Sequence, residues 1–242
     1  MIDQNIAYFN QEIKAIELLD FITRDDNLQR EACARLEKLW EEVKLLKIDC
    51  AKNGANDVAN LFLGFQCALS QLYNKLNMWL CLKTSNHEKA WDHLIQAQYK
   101  CRDAANAHKG FQHLSIAYGN LLALEANIFP PQVFLSSGLL AGKQVCSICK
   151  NNYEECDHIA GNAYAGQFCR IISQDITADH VALVESPADK RCRITSFANI
   201  EGVRNRMTWA LEPHSVDAEP IPDGALHASS IIIVADDGEE NI

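Results

Sequence analysis

The clearest chemical signal in this chain is a group of cysteine and histidine residues between positions 146 and 169. Cys146 and Cys149 are separated by two residues, Cys156 and His158 by one, and Cys169 follows eleven residues later. Thiolate and imidazole groups are ligands that Zn²⁺ prefers, and structural zinc sites take four of them in a tetrahedron. The spacing therefore predicts a zinc site with five candidate ligands for four positions.

The order of these donors also indicates what kind of site they form. A Cys-x2-Cys pair such as Cys146 and Cys149 is typical of a zinc knuckle, a tight turn that brings two thiolates to one ion. Cys156 and His158 lie on the same side of an extended segment and complete the four. Cys169 is an alternative ligand in place of Cys156 or His158, and reduced core cysteines are the alternative to a metal site. Four protein ligands leave no position for water, so we expect a structural zinc ion and assign no catalytic residue.

The remaining cysteines and the first residues of the chain bear on its compartment. The first residues, Met-Ile-Asp-Gln-Asn-Ile, have neither the basic region nor the apolar region of a secretory signal, so we expect none. No apolar run approaches the length of a membrane span. Isolated cysteines on helices behave mainly as small buried apolar residues. We therefore expect a cytoplasmic protein without a membrane segment, with reduced cysteines at the single helical positions Cys33, Cys50, Cys67, Cys81 and Cys101.

The charge of the chain disfavours a nucleic-acid partner. The formal net charge is −10, and residues 130–242 carry 8 Lys and Arg against 16 Asp and Glu. Proteins that bind the phosphate backbone normally present a basic face. The short basic groups at 190–193 and 204–206 are interpreted as solvated strand and turn surface.

Helical periodicity dominates the first half of the chain. Apolar residues recur at three-to-four spacing from residue 4 to about 127, with polar breaks near 23–27, Gly54, 84–86 and Gly110. Asn56-Asp57 and Ser85-Asn86 are expected to cap the third and fourth helices. Five helices with short connections predict an antiparallel bundle.

The second half has a different residue pattern, with short β-rich runs in place of helical periodicity, and the fold class is therefore expected to be α+β. Pro130-Pro131 stops the helices, and short β-rich runs follow between turn residues. We predict a helical bundle over 1–128, a linker over 129–144, a zinc-stapled β-rich domain over 145–235 and an acidic tail over 236–242. The expected strands lie at 168–172, 180–184, 192–197, 207–211 and 230–234, with a loop over 212–228.

The metal segment resembles a short cysteine/histidine module of phage and prophage head-assembly-type proteins. The likeness covers 145–197 and continues into His180-Val-Ala-Leu-Val-Glu-Ser-Pro-Ala188, a segment also seen in prohead-protease-like folds. It implies a metal-stabilised module of phage or bacterial origin. No nucleophilic serine with a partner histidine is identified, so no protease activity is carried over. The residues that carry the likeness are Cys146-Ser-Ile-Cys149, Tyr153, Cys156, His158, Gly161, Tyr164, Gly166 and Cys169.

Two functions from different classes follow from these observations. The first is a non-enzymatic adaptor or assembly subunit of a phage-related or bacterial defence complex, which binds a protein partner or itself through the helical domain. The second follows from Asp157-His158-Ile159, which is similar to the Asp-His-Ile of HNH nucleases. That resemblance implies a metal-dependent hydrolase or nuclease with Asp157 and His158 in the active site.

Overall fold

The computed structural model describes residues 2–214 and 221–230, and these residues form two compact units. Residues 2–123 and 143–174 make up the first unit, and residues 124–142 with the described part of 175–236 make up the second. The metal-ligand segment therefore groups with the helices, whereas 145–235 was predicted as one separate domain. The predicted strand residues 231–234 and the acidic tail 236–242 lie outside the described residues.

The five expected helices are present, and the α+β class is confirmed. In the first unit, α3 packs against both α2 and α4. Asn77 near the end of α3 donates to the Sγ of Cys33 near the start of α2, at 3.4 Å, and Asn74 of α3 meets His93 of α4 at 2.9 Å. These contacts show that α3 runs antiparallel to both α2 and α4. The helices are α1 Ile2–Glu17, α2 Asp26–Lys52, α3 Asn56–Lys83, α4 His87–Ala107 and α5 Leu114–Ile128.

Close packing around α3 explains why this helix is apolar on most of its surface. The ring of Phe111 lies 5.0 Å from that of Phe65, centroid to centroid, in an edge-to-face arrangement. The ring centroid of Phe9 on α1 lies 5.6 Å from that of Phe65. Gly64 makes room for this cluster, since a Cβ added there would meet the Phe111 ring at 2.2 Å.

The observed helix ends agree only partly with the caps predicted from the sequence. Asn86 caps α4 as predicted, because its side chain accepts from the Lys89 amide at 3.3 Å. The predicted side-chain cap of α3 at Asn56-Asp57 is wrong: Asn56 is already helical, and the N-cap Ala55 makes no side-chain hydrogen bond. Gly54 adopts a positive φ of 73°, which lets backbone bonds close the end of α2 instead.

The β structure comprises one branched sheet and one hairpin. The main path of the sheet runs in the order β4-β1-β5-β6-β7, with β8 paired to β5, and β2 pairs with β3 in an antiparallel hairpin. Both β1 and β4 contribute residues to each compact unit. The strands are β1 Phe134–Cys146, β2 Ala163–Tyr164, β3 Gln167–Phe168, β4 Ile171–Val184, β5 Arg193–Asn199, β6 Gly202–Asn205, β7 Leu211–Glu212 and β8 Leu226–Ser229.

Several predicted elements of the second half need correction. Most of the predicted linker 129–144 is strand β1, because backbone pairing with β4 outweighs the local turn composition of Ser136-Ser-Gly138. Gly138 lies so close to β4 that an added Cβ would meet the His180 ring at 2.4 Å. The predicted strand 207–211 is mostly a turn, in which Trp209 has a positive φ of 59°. Strand β8 begins within the predicted loop 212–228.

The basic residues of the second unit make contacts within that unit. The ammonium of Lys190 lies 2.8 Å from Glu125, and the guanidinium of Arg191 lies 2.6 Å from Asp189. Arg204 donates to a backbone carbonyl at 2.9 Å. Among the described residues, no helix combines the length and the apolar character that crossing a membrane requires.

Candidate metal centre

A tight turn after strand β1 presents the first pair of candidate ligands. The Cys146 amide donates to the carbonyl of Asn151, and the Lys150 amide donates to the carbonyl of Cys146, both at 2.9 Å. The Ile148 amide points back at the Cys146 sulfur, at 3.4 Å. This is the expected knuckle arrangement, in which backbone N–H groups face a thiolate. Lys150 occupies the left-handed region, with φ of 62°.

Two tyrosines hold the loop that carries the second pair of candidate ligands. The hydroxyl of Tyr153 accepts from the Ala160 amide at 3.0 Å, and the hydroxyl of Tyr164 accepts from the Ile159 amide at 2.9 Å. The Tyr164 ring also meets the His158 ring edge-on, with centroids 4.7 Å apart. Both tyrosines belong to the motif noted in the sequence, and their role is to position the loop around Cys156 and His158.

Cys169 follows the β2–β3 hairpin, and its backbone is hydrogen-bonded on both sides. Its amide donates to the carbonyl of Asn162 at 2.9 Å, and its carbonyl accepts from the Gly161 amide at 2.8 Å. The next residue, Arg170, exchanges bonds with Ser147 of the knuckle: Ser147 N donates to Arg170 O at 2.9 Å, and Arg170 N donates to Ser147 Oγ at 2.8 Å. These bonds between Arg170 and Ser147 place Cys169 beside the knuckle.

These segments bring all five candidate ligands close together. The ligand atoms of Cys146, Cys149, Cys156 and His158 lie within 4.8 Å of one another, and this group could hold a metal ion. The sulfur of Cys169 lies 3.7 Å from that of Cys146. Asp157 of the hydrolase alternative has an exposed side chain and is not a member of that group of four.

The surroundings of the cluster shift the pKa values of its thiols in different directions. Burial acts to raise the pKa of Cys146, but the amides of Cys149 and Ile148 and the thiols of Cys169 and Cys149 donate to its sulfur, and together they lower the pKa to about 6. Burial raises the pKa of Cys169 to about 11, and its bond to Cys146 and the charge of that sulfur act in the same direction. Burial is also the largest cause that raises the pKa of Cys156. The surroundings therefore favour the thiolate form of Cys146 and disfavour that of Cys156 and Cys169.

The donor set fits a metal ion in chemistry as well as in position. The Nδ1 atom of His158 is buried and has no hydrogen-bond partner among the described residues. A buried polar atom without a partner is costly, and a metal bond would satisfy it. Three or four sulfurs with one imidazole are the soft and borderline donors that favour Zn²⁺ over Mg²⁺ or Ca²⁺.

A contact with the helices supports the hairpin that leads to Cys169. The Asn60 side chain on α3 donates to the carbonyl of Ala163 at 3.2 Å and accepts from the Gly166 amide at 2.8 Å. Gly166 has a φ of 80°, and an added Cβ would meet the Lys47 stem at 2.9 Å and Ala59 at 3.3 Å. Sequence reasoning missed Asn60 and Lys47, because their partners lie more than a hundred residues away in the chain and no local pattern marks them.

The scattered cysteines of the helices have a different character. Cys33, Cys67 and Cys101 are buried, and Cys50 and Cys81 are half-buried. Burial raises the pKa of both Cys33 and Cys101 to about 12, so these two remain neutral thiols at physiological pH. They pack as small apolar side chains.

Comparison with known proteins adds no relative to this description. No protein-family model matches the chain, and neither a curated protein nor a solved structure shows significant similarity to it.

Proposed function

We propose that a structural Zn²⁺ ion holds residues 146–169 together, and that the protein is a non-enzymatic adaptor or assembly subunit. The observation that carries the zinc part is the shortage of a core in this segment. Within 143–174, the buried apolar side chains are Val145, Cys146 and Cys169. A segment that buries so little apolar surface needs another source of stability, and metal binding is the usual one.

The ion would join three pieces of chain. These are the knuckle at 146–149, the loop at 156–158 and the exit of the hairpin at Cys169. Since the hairpin rests on Asn60 of α3, metal binding also stabilises its contact with the helices. The role of the ion is therefore to fix a recognition surface, not to activate a water molecule.

Exposed apolar residues on the helical part support association with a protein. Leu18 is 65% exposed and Phe21 is 56% exposed at the turn between α1 and α2, and Ile22 and Leu28 beside them are also exposed. Clusters of exposed large apolar side chains mark interaction sites more often than ordinary surface does. We propose that this turn contacts a second copy or a partner protein, within an assembly of phage or bacterial defence type.

Metal analysis of the purified full-length protein tests the zinc part. We expect about one zinc per chain, and we expect Cys149→Ser to lose the metal and to lower the thermal midpoint. Cys192→Ser is the matched control, because Cys192 is a free, half-buried cysteine outside the cluster. Equal metal content in the two variants would contradict the proposal, and so would an unchanged thermal midpoint after complete chelation.

Sedimentation velocity over a range of concentrations, followed by a pull-down, tests the association part. We expect the double variant Leu18→Ser/Phe21→Ser to weaken self-association or partner capture. Ile116→Ser is the matched control, because Ile116 is an apolar residue on α5 that is 71% exposed. A monomer at all concentrations that also captures no partner would refute the adaptor role.

The same preparation separates the adaptor from the hydrolase alternative. If the metal-loaded protein cleaves DNA, and His158→Ala abolishes cleavage while the thermal midpoint is unchanged, the hydrolase interpretation replaces the adaptor. We expect no cleavage above the background of a matched purification.

A further inference from the structure

We propose that the metal ion is bound by four sulfurs, those of Cys146, Cys149, Cys156 and Cys169, and that His158 lies outside the coordination sphere. This inference rests on the proposed function, since it concerns the same zinc centre. The proposed ligand set differs from the group Cys146, Cys149, Cys156 and His158 because Cys169 replaces His158.

The separation of the sulfurs is the first argument. A tetrahedral ion with Zn–S bonds of about 2.3 Å places neighbouring sulfurs about 3.8 Å apart. The sulfurs of Cys146 and Cys169 are 3.7 Å apart and are not joined by a disulfide. Cys169 therefore already stands at a ligand position relative to Cys146.

The burial and the rigidity of the backbone give the second argument. Cys146 and Cys169 are 0% and 1% exposed. Cys169 is held by two backbone bonds of its own, and its neighbour Arg170 is clamped to Ser147 of the knuckle. A ligand whose backbone is already fixed by hydrogen bonds needs little further ordering when the metal binds, so less conformational entropy is lost.

The contacts of His158 give the third argument. Its ring packs edge-on against Tyr164, and the hydroxyl of that tyrosine binds the Ile159 amide. These contacts give His158 a packing role in the loop. Its buried Nδ1 atom makes it the competing ligand, and the experiment must separate it from Cys169.

Cobalt substitution in the full-length protein provides the test. The charge-transfer absorption of Co²⁺ scales with the number of bound thiolates, so a four-sulfur site and a three-sulfur site differ by about a quarter in this band. We expect His158→Ala to keep the wild-type spectrum and to change the Co²⁺ affinity less than threefold. We expect Cys169→Ser to lose about a quarter of the charge-transfer intensity and to bind Co²⁺ at least tenfold more weakly. Cys192→Ser is the control, with the spectrum of the wild type.

The opposite pattern would overturn the inference: a spectrum changed by His158→Ala and left intact by Cys169→Ser. A ¹¹³Cd NMR spectrum of the wild-type chain gives the answer without any variant, because the cadmium shift distinguishes four sulfurs from three sulfurs and one nitrogen. It therefore decides the question even if Cys169→Ser does not fold. If the wild-type chain binds neither Co²⁺ nor Cd²⁺, the proposed zinc centre itself fails, which is a different result from a wrong ligand set.

Discussion

Substitution of Gly166 by alanine isolates the contact between the metal segment and the helices. Gly166 adopts a φ of 80°, in the left-handed region where a Cβ costs about 1–2 kcal/mol. The added Cβ would also meet the Lys47 stem at 2.9 Å and Ala59 at 3.3 Å. Overpacking of this kind typically costs about 1–3 kcal/mol. We therefore expect Gly166→Ala to lower the free energy of unfolding by about 2–5 kcal/mol.

Gly161→Ala is a matched control for this substitution. Gly161 also has a positive φ, of 88°, but an added Cβ would meet nothing within 4 Å. In the control, the free energy of unfolding should therefore fall only by the cost of a Cβ in the left-handed region, about 1–2 kcal/mol. The difference between the two variants measures the close approach of the hairpin to α2 and α3.

Urea denaturation of the zinc-loaded chain, followed by circular dichroism at a helix wavelength, is the appropriate assay. Equal losses for the two variants would show that the hairpin does not rest on the helices, and that the bonds from Asn60 do not hold it there. Amide hydrogen exchange at Gly166 gives an independent reading: protection should fall in Asn60→Ala, because the acceptor of that amide is removed.

Three further predictions concern other parts of the chain. Gly64→Ala should lower the free energy of unfolding in urea by about 1–3 kcal/mol, because its Cβ would displace the Phe111 ring. Gly119→Ala on α5 is the control: its Cβ would have open space, so it should stabilise the protein by about 0.5–1 kcal/mol. Equal effects of the two substitutions would refute the packing argument. Lys150→Gly should raise the thermal midpoint by removing a left-handed lysine from the knuckle, a gain of about 1 kcal/mol; a lower midpoint would contradict this. Burial, and then the charge of a nearby lysine, lower the pKa of His93. The stability that its neutral ring contributes should therefore be present above its ordinary pKa of 6.5 and be lost as the pH falls below that value. Between about pH 7 and 5, the free energy of unfolding should fall less in His93→Gln than in the wild type. Equal losses would exclude this histidine as the cause.

The helical half of the fold was accessible from the sequence. Apolar residues at three-to-four spacing mark each helix, and breaks at Gly54 and Gly110 separate neighbours, because helix formation is governed by local periodicity. Asn86 as a cap was predicted for the same reason. The cap of α3 was not, since a backbone turn at Gly54 satisfied the end of α2 and left Asn56 within the next helix.

The strands were predicted less well, because their pairing is not local. Ser136-Ser-Gly138 has the composition of a linker, yet it forms part of β1, where Gly138 fits under the His180 ring of β4. The run 207–211 has the composition of a strand, yet it forms mostly a turn with Trp209 at positive φ. β propensity is weak, and the neighbouring strand decides.

The sequence by itself determined the chemistry of the candidate site: the types and the spacing of Cys146, Cys149, Cys156, His158 and Cys169 are sufficient to predict a metal centre, because a knuckle is a short local turn. Only the tertiary structure decided which of these donors stand at ligand distance and what supports them. The bonds between Ser147 and Arg170 set Cys169 against Cys146, and Asn60 on α3 holds the hairpin from a distant part of the chain. Such contacts depend on how elements pack, and a single sequence carries no local signal for them.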